Sequence, residues 1–320
     1  MANRLAALLG ALTLAAAPAA PAPVQEPRYL FDLATTGGPS ESTWASVAYD
    51  RVHDDLFATY GGLGHVFNPA GMEYYAFGVD GDLGWVERVA PLDGGDLLVL
   101  TRLNDRRVVL RCDFQGERIA TYELKNLPSR LSGFAPDLIQ ARAGKVYLVQ
   151  TAAMQVVVAD EQGEVLQTHD LAAAVLKHDP ALKLGMAGFW VDDQGTFFFT
   201  MPLSFAAFAM SPAGELRQFG ARGSSPGKFN IAGAVATDER GNVFVLDRLR
   251  AVVLVFDRNL TFVLELGYRG EGPENLISPY SLAVGNGKLF VSQAGERGVK
   301  VFQYRFGPAA VQGGSPPVTL

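Results

Sequence analysis

The amino-acid sequence predicts an all-β fold: a six-bladed β-propeller of four-stranded antiparallel blades, its ring closed by the N-terminal strand. Three observations carry this prediction. A group of short β-type runs separated by turn chemistry recurs six times along the chain. Successive copies start 41, 49, 51, 46 and 46 residues apart, the spacing of propeller blades. The last copy lacks its outermost strand, while a spare strand precedes the first.

The clearest copy covers residues 219–267. Its β-type runs are 232–237, 243–246, 252–256 and 262–266. The gaps hold Asp238-Glu239-Arg240-Gly241, residues 247–250, and Asp257-Arg258-Asn259, all turn-forming sequences. A four-stranded meander is too small to stand alone, so sister copies must cover its faces. The run at 243–246 has counterparts at 56–59, 97–100, 146–149, 197–200 and 289–292. Inner runs precede them at 46–49, 88–91, 137–141, 189–192, 235–238 and 282–285. Third runs include 107–114, 155–160, 207–211 and 299–305; outermost runs lie at 74–77, 119–124, 165–169, 216–219 and 262–266. The sixth copy has no outermost run, and Tyr29-Leu30-Phe31-Asp32-Leu33 matches the missing one. Pairing it with 299–305 closes the ring and removes the exposed edges of an open array.

The chain of 320 residues is 48% hydrophobic and only 19% charged, and its 35 glycines suit many turns. Residues 1–19 read as a signal peptide: Arg4 is followed by an apolar run, 5–17, and by the small-residue site Ala17-Pro18-Ala19. Residues 20–27 form a Pro-rich leader, 28–306 the propeller and 307–320 a Gly/Pro-rich flexible tail. The expectation is an exported protein, periplasmic or extracellular, with no membrane span and acting as a monomer. The net charge of −6, one unit more negative once Arg4 is removed, argues against nucleic acid as a partner. Cys112 is the only cysteine and shares a strand face with Val108 and Leu110, the pattern of a buried hydrophobe. The four histidines, His53, His65, His169 and His178, have no metal-ligand spacing, and no cofactor motif is present.

Blades five and six resemble NHL-repeat propellers of the exported bacterial type. The matching residues are Phe219-Gly220, Gly223, Gly227-Lys228-Phe229, Val235-Ala236-Thr237-Asp238, Gly241 to Asp247, Arg250 and Val255-Phe256-Asp257. The linker Gly267-Tyr268-Arg269-Gly270-Glu271-Gly272-Pro273 is similar to the Gly-rich link of that group. The resemblance implies a binding platform for proteins, or in some relatives for RNA. The expected function is a ligand- or protein-binding module acting through the channel-mouth loops, its partner a protein or small molecule. Related six-bladed propellers are lactonases, strictosidine-synthase-like enzymes or amide lyases, so a metal-dependent hydrolase or lyase stands as the alternative, and whether the chain is an enzyme stays open.

In this topology the loops entering the inner strands gather at one mouth of the central channel, the default binding surface. The inner-strand column aligned on Ala234 is Ser46, Arg88, Asp137, Gly188, Ala234 and Ser281. Small residues are expected there, so Arg88 and Asp137 stand out, with Glu87 beside them. They form either a polar pocket or a self-satisfying ion pair. The candidate ligand-binding set is Arg88, Asp137, Glu87, Ser46, Ser281, Tyr280 and Trp44. In the metal-dependent alternative Glu87 and Asp137 are the carboxylates available. Asp247 reads as the cap of its own loop, and Asp170 as the N-cap of a short helix over 171–177 that serves as lid or packing plug.

Overall fold

The computed structural model describes residues 27–305. The chain enters on β1 (Arg28–Asp32) and makes a small hairpin of β2 (Ala34–Thr35) and β3 (Gly38–Pro39). Blade 1 follows as β4 (Ser46–Asp50), β5 (Asp55–Tyr60), β6 (Leu63–Phe67) and β7 (Glu73–Phe77). Blade 2 is β8 (Trp85–Pro91), β9 (Leu97–Leu103), β10 (Arg106–Cys112) and β11 (Arg118–Thr121). Blade 3 is β12 (Leu138–Arg142), β13 (Lys145–Gln150), β14 (Gln155–Asp160) and β15 (Val165–Asp170), followed by helix α1 (Leu171–His178). Blade 4 is β16 (Gly188–Val191), β17 (Phe197–Met201), β18 (Ala206–Met210) and β19 (Leu216–Phe219). Blade 5 is β20 (Ala232–Thr237), β21 (Val243–Asp247), β22 (Val252–Phe256) and β23 (Phe262–Gly267). Blade 6 combines β24 (Pro279–Gly285), β25 (Lys288–Gln293) and β26 (Val299–Gln303) with β1 from the other end of the chain.

The expected closure is present. Arg28 faces Gln303 and Tyr29 faces Phe302; after a bulge Phe31 faces Val301 and Asp32 faces Lys300. Tyr29 packs edge-on against Phe302 at 6.2 Å, so the closing strand is held by ring contact as well as by its ladder. The predicted signal peptide, nearly all of the leader, and residues 306–320 lie outside the described residues.

Each blade is apolar on both faces because it has a neighbour on both sides. One hydrophobic cluster fills each junction. Phe198, Ala207, Val235, Val245 and Leu254 join blades 4 and 5, and Phe244, Leu246, Val253, Val284 and Val291 join 5 and 6. Full burial of such side chains contributes roughly 1.5–3 kcal/mol apiece. Cys112 lies in the junction of blades 1 and 2, where burial pushes its thiol up to about 12, in keeping with a packing role.

Turn chemistry sets the strand lengths. Asp238 Oδ1 accepts from the amides of Arg240 and Asn242 at 2.9 and 2.8 Å, and Gly241 completes the turn at φ +80°. Asp113, Asp160, Asp192 and Asp257 repeat the same two-amide grip. Blade 1 has Asp54 where its sisters have the turn glycine, and Asp54 takes up the left-handed conformation itself at φ +61°. At the other end of its strand Asp247 is fully buried and accepts from four amides, those of Asn230, Ile231, Leu249 and Arg250. Asp247 is a loop cap.

Helix α1 starts at Asp170, whose Oδ1 accepts from the Ala173 amide at 2.9 Å. Leu171 and Val175 are buried in the cluster between blades 3 and 4. The helix is therefore a packing plug, and it lines neither of the two cavities described next.

Candidate functional site

The six inner strands surround a channel that contains a cavity of about 340 Å³. A second cavity of about 430 Å³ opens at the mouth formed by the loops entering those strands. All seven predicted residues line one or both. Ser46, Arg88 and Tyr280 line both cavities, Ser281 the channel, and Trp44, Glu87 and Asp137 the mouth.

Their chemical states differ from what the sequence column suggests. Inner strand β8 carries a bulge between Val86 and Arg88, which turns Glu87 toward the outer strands. Its carboxylate is held by Arg102 Nη2 and Arg107 Nε, both at 2.7 Å. Arg88, one residue on, borders the channel, and its guanidinium has no hydrogen bond or ion pair among the described residues.

Asp137 does not pair with Arg88, and the register explains why. Ser46 lies opposite Thr59, Arg88 opposite Leu100 and Gly188 opposite Thr200, but in blade 3 the matching position opposite Val149 is Leu138. Asp137 sits one residue outside the aligned column. Its Oδ1 accepts from the Thr151 amide at 3.1 Å and its Oδ2 from Thr151 Oγ1 at 2.7 Å. It ties the inner strand of blade 3 to the loop after the second strand. In blade 6 Gln293 serves its loop comparably, its Oε1 accepting from the Ile277 amide at 2.8 Å.

The remaining members shape the wall. Ser281 Oγ accepts from the Val47 amide at 3.4 Å and so ties blade 6 to blade 1. Inner strands β20 and β24 carry irregularities between Ala232 and Val235 and between Pro279 and Leu282, where they meet the mouth. Trp44 is 63% exposed, its backbone left-handed at φ +52° and its amide donating to the Gln293 carbonyl at 3.1 Å. Arg248, which the sequence marks only as one of several rim arginines, is exposed and stacks on Tyr280 with its guanidinium 5.4 Å from the ring centroid. No carboxylate pairs with it among the described residues. Arg88, which lines both cavities, and Arg248, which lines the channel, thus have no carboxylate partner among the described residues; Tyr280 lies beside them, and the exposed indoles of Trp44 and Trp85 line the mouth.

The opposite end of the channel was not marked by any motif. Arg51, Arg142 and Trp190 line it, with Gln140 above them bonded to the backbone of Val191 at 3.0 and 2.9 Å. Among the described residues no group of three or more His, Cys, Asp or Glu side chains is arranged to hold a metal ion. No helix among them is long and apolar enough to cross a membrane.

No protein-family model matches the chain, and no curated protein matches it by sequence. Solved structures do resemble it. One is a structural-genomics protein of unknown function from Bacteroides thetaiotaomicron, at 12% identity over 88% of this chain and 72% of that one, TM-score 0.60. Another is a gluconolactonase from Xanthomonas campestris, at 16% identity over 91% and 99% of the two chains, TM-score 0.58. A third is a luciferin-regenerating enzyme, at 14% identity over 85% and 95%, TM-score 0.57. At these identities the likeness shows the six-bladed propeller and nothing finer.

Proposed function

We propose that the protein is an exported, NHL-like propeller that binds an anionic ligand at the channel mouth. One observation carries this reading: Arg88 and Arg248 present guanidinium groups to the cavities without a carboxylate of their own. A half-buried arginine such as Arg88 normally has an acidic partner, and one without it leaves donors for a carboxylate or phosphate arriving from solvent; Arg248, exposed at the rim, adds a second guanidinium beside Tyr280. Tyr280, Trp44 and Trp85 supply aromatic surface beside those donors, the usual composition of a ligand pocket. The channel volume of about 340 Å³ suits a small molecule or the end of a peptide. Support for the NHL-like part is the residue pattern of blades 5 and 6, with Asp238 and Gly241 in the turn and Asp247 in the loop. Support for export is the pattern of residues 1–19.

Calorimetric titration of the purified chain with carboxylate-bearing, phosphate-bearing, neutral and cationic compounds tests the reading. Anions are expected to bind, and Arg88→Ala and Arg248→Ala each to weaken them by about tenfold, the loss of one charge-assisted contact. Equal binding of neutral compounds, or unchanged affinity in the double variant, overturns it.

The fold also serves enzymes, as the gluconolactonase and the luciferin-regenerating enzyme illustrate. In that reading Glu87 and Asp137 have to leave Arg102, Arg107 and Thr151 to reach a metal. Stoichiometric calcium or zinc in the purified protein, lost in Glu87→Gln/Asp137→Asn, would establish it in place of the binding module.

A further inference from the structure

The far end of the channel carries a second cationic pair. Arg51 follows β4 and Arg142 ends β12; both lie against Trp190 of β16, with guanidinium carbons 6.0 and 5.2 Å from the ring centroid. Their ion pairs are long. One carboxylate, Asp193, is shared between them at 3.4 Å to each, Glu239 reaches Arg51 at 3.3 Å, and Arg51 Nη2 also donates to the Thr237 carbonyl at 2.5 Å. Elsewhere the arginine pairs with Glu87, Asp96 and Glu265 close to 2.7 Å, the length of a charge-assisted hydrogen bond. Arg142 Nε is buried without a hydrogen-bond partner among the described residues, and Asp193 is half exposed. Burial, and next the like charge of Arg51, hold the Arg142 pKa below its ordinary value. Asp50 and Asp93 also line this end, but Asp50 is engaged by His53 and two turn amides, and Asp93 is exposed.

Between the two cationic ends the wall includes the apolar Ala48, Leu138 and Ala234, with Gln140, its amide tied to the Val191 backbone, between Leu138 and Arg142. Leu138 shares the layer of Arg88, and Arg142 lies four residues further along the same strand, on the same face. That places the second pair about 13 Å down the channel. We infer that the channel accepts an elongated diacid, one carboxylate at Arg88 and Arg248, an apolar chain along the wall, and the second carboxylate at Arg142 and Arg51. The inference rests on the mouth being an anion site and names the class of ligand it takes.

The test is calorimetric titration of the full chain with α,ω-dicarboxylates from succinate to dodecanedioate, each beside the monocarboxylate of equal length. Diacids long enough to span the channel are expected to bind at least tenfold more tightly than their monoacid partners, with no such gain for succinate. Arg142→Gln is expected to erase the gain of the long diacids over their monoacid partners, and Arg142→Lys, which keeps the charge, to retain part of it. Thermal melts of both variants establish that they are folded, and Arg51→Gln provides an independent removal of one floor charge. If long diacids and monoacids bind alike, the second site is wrong and the mouth site stands. If Arg88→Ala leaves monoacid binding intact, the mouth site itself is wrong. A chain-length gain that survives both Arg142→Gln and Arg51→Gln also overturns the inference.

Discussion

Asp247 shows how much of a propeller can hang on one side chain. Its fully buried carboxylate answers four amides from two loops, so substitution by alanine leaves four donors to find other partners. Asp247→Ala is expected to cost about 3–4 kcal/mol in the midpoint of denaturant unfolding. Gln293→Ala, at the corresponding place in blade 6, removes fewer bonds and is expected to cost about 1–2 kcal/mol. A larger loss at Gln293 would invert this ranking. His169 supplies a pH-dependent case. Half-buried edge-on against Phe197 at 4.9 Å, with Nε2 unbonded among the described residues, it has its pKa lowered by desolvation. The unfolded chain thus binds the proton more readily, and stability tied to neutral His169 is present above pH about 6.5 and lost as pH falls below it. His53 runs the other way, its pKa raised first by the hydrogen bond with Asp50, so the wild-type profile blends two opposite slopes. His169→Phe isolates one of them: its melting temperature relative to wild type is expected to rise as pH drops from 7 to 5. A constant difference across that range would show that folding leaves the His169 pKa unshifted.

At the scale of the element, the closing strand β1 carries the greatest leverage. It covers the outer edge of β26 with four paired positions and the Tyr29 ring. Deleting the chain through Asp32 uncovers that edge, a template for pairing with a second chain. The truncated protein is expected to lose several kcal/mol and about 10 °C of melting temperature, and to elute as dimers or larger species in light-scattering chromatography. A monomer of unchanged stability would mean that β1 only decorates blade 6. This strand was legible in the sequence because Tyr29 to Leu33 repeats an outermost run that blade 6 lacks. The turns were legible because Asp at the first position and Gly at the fourth have a single structural use. The register of the inner strands was not. Bulges at Glu87, at Gly233–Ala234 and at Tyr280–Ser281 add residues that a fixed repeat does not count, and in blade 3 the column belongs to Leu138, one residue past Asp137. The floor was hidden for a different reason. Arg51 and Arg142 stand at the exits of inner strands, next to turns where acidic residues are routine, and only the ring brings them onto one indole.

Across the whole molecule, stability is spread over six blade junctions while the chemistry gathers on the axis. The mouth and floor cations come from different blades: Arg51 from blade 1, Arg88 from blade 2, Arg142 from blade 3 and Arg248 from the loop after β21 of blade 5. No single repeat carries this set of cations, and none could bury its faces without its neighbours. The join between Arg28 and Gln303 adds a kinetic dimension. Among the described residues the first strand pairs with the last, so the ring has no local route to completion and a long closure must precede the final rows of hydrogen bonds. Refolding is accordingly expected to end in a slow step that reports on Tyr29 and Phe302. Joining the two ends through a short linker and opening the chain between blades would turn that late event into an early one. A permuted chain of this kind should refold faster to the same ring, making the order of assembly, unlike the architecture, a matter of where the chain happens to begin.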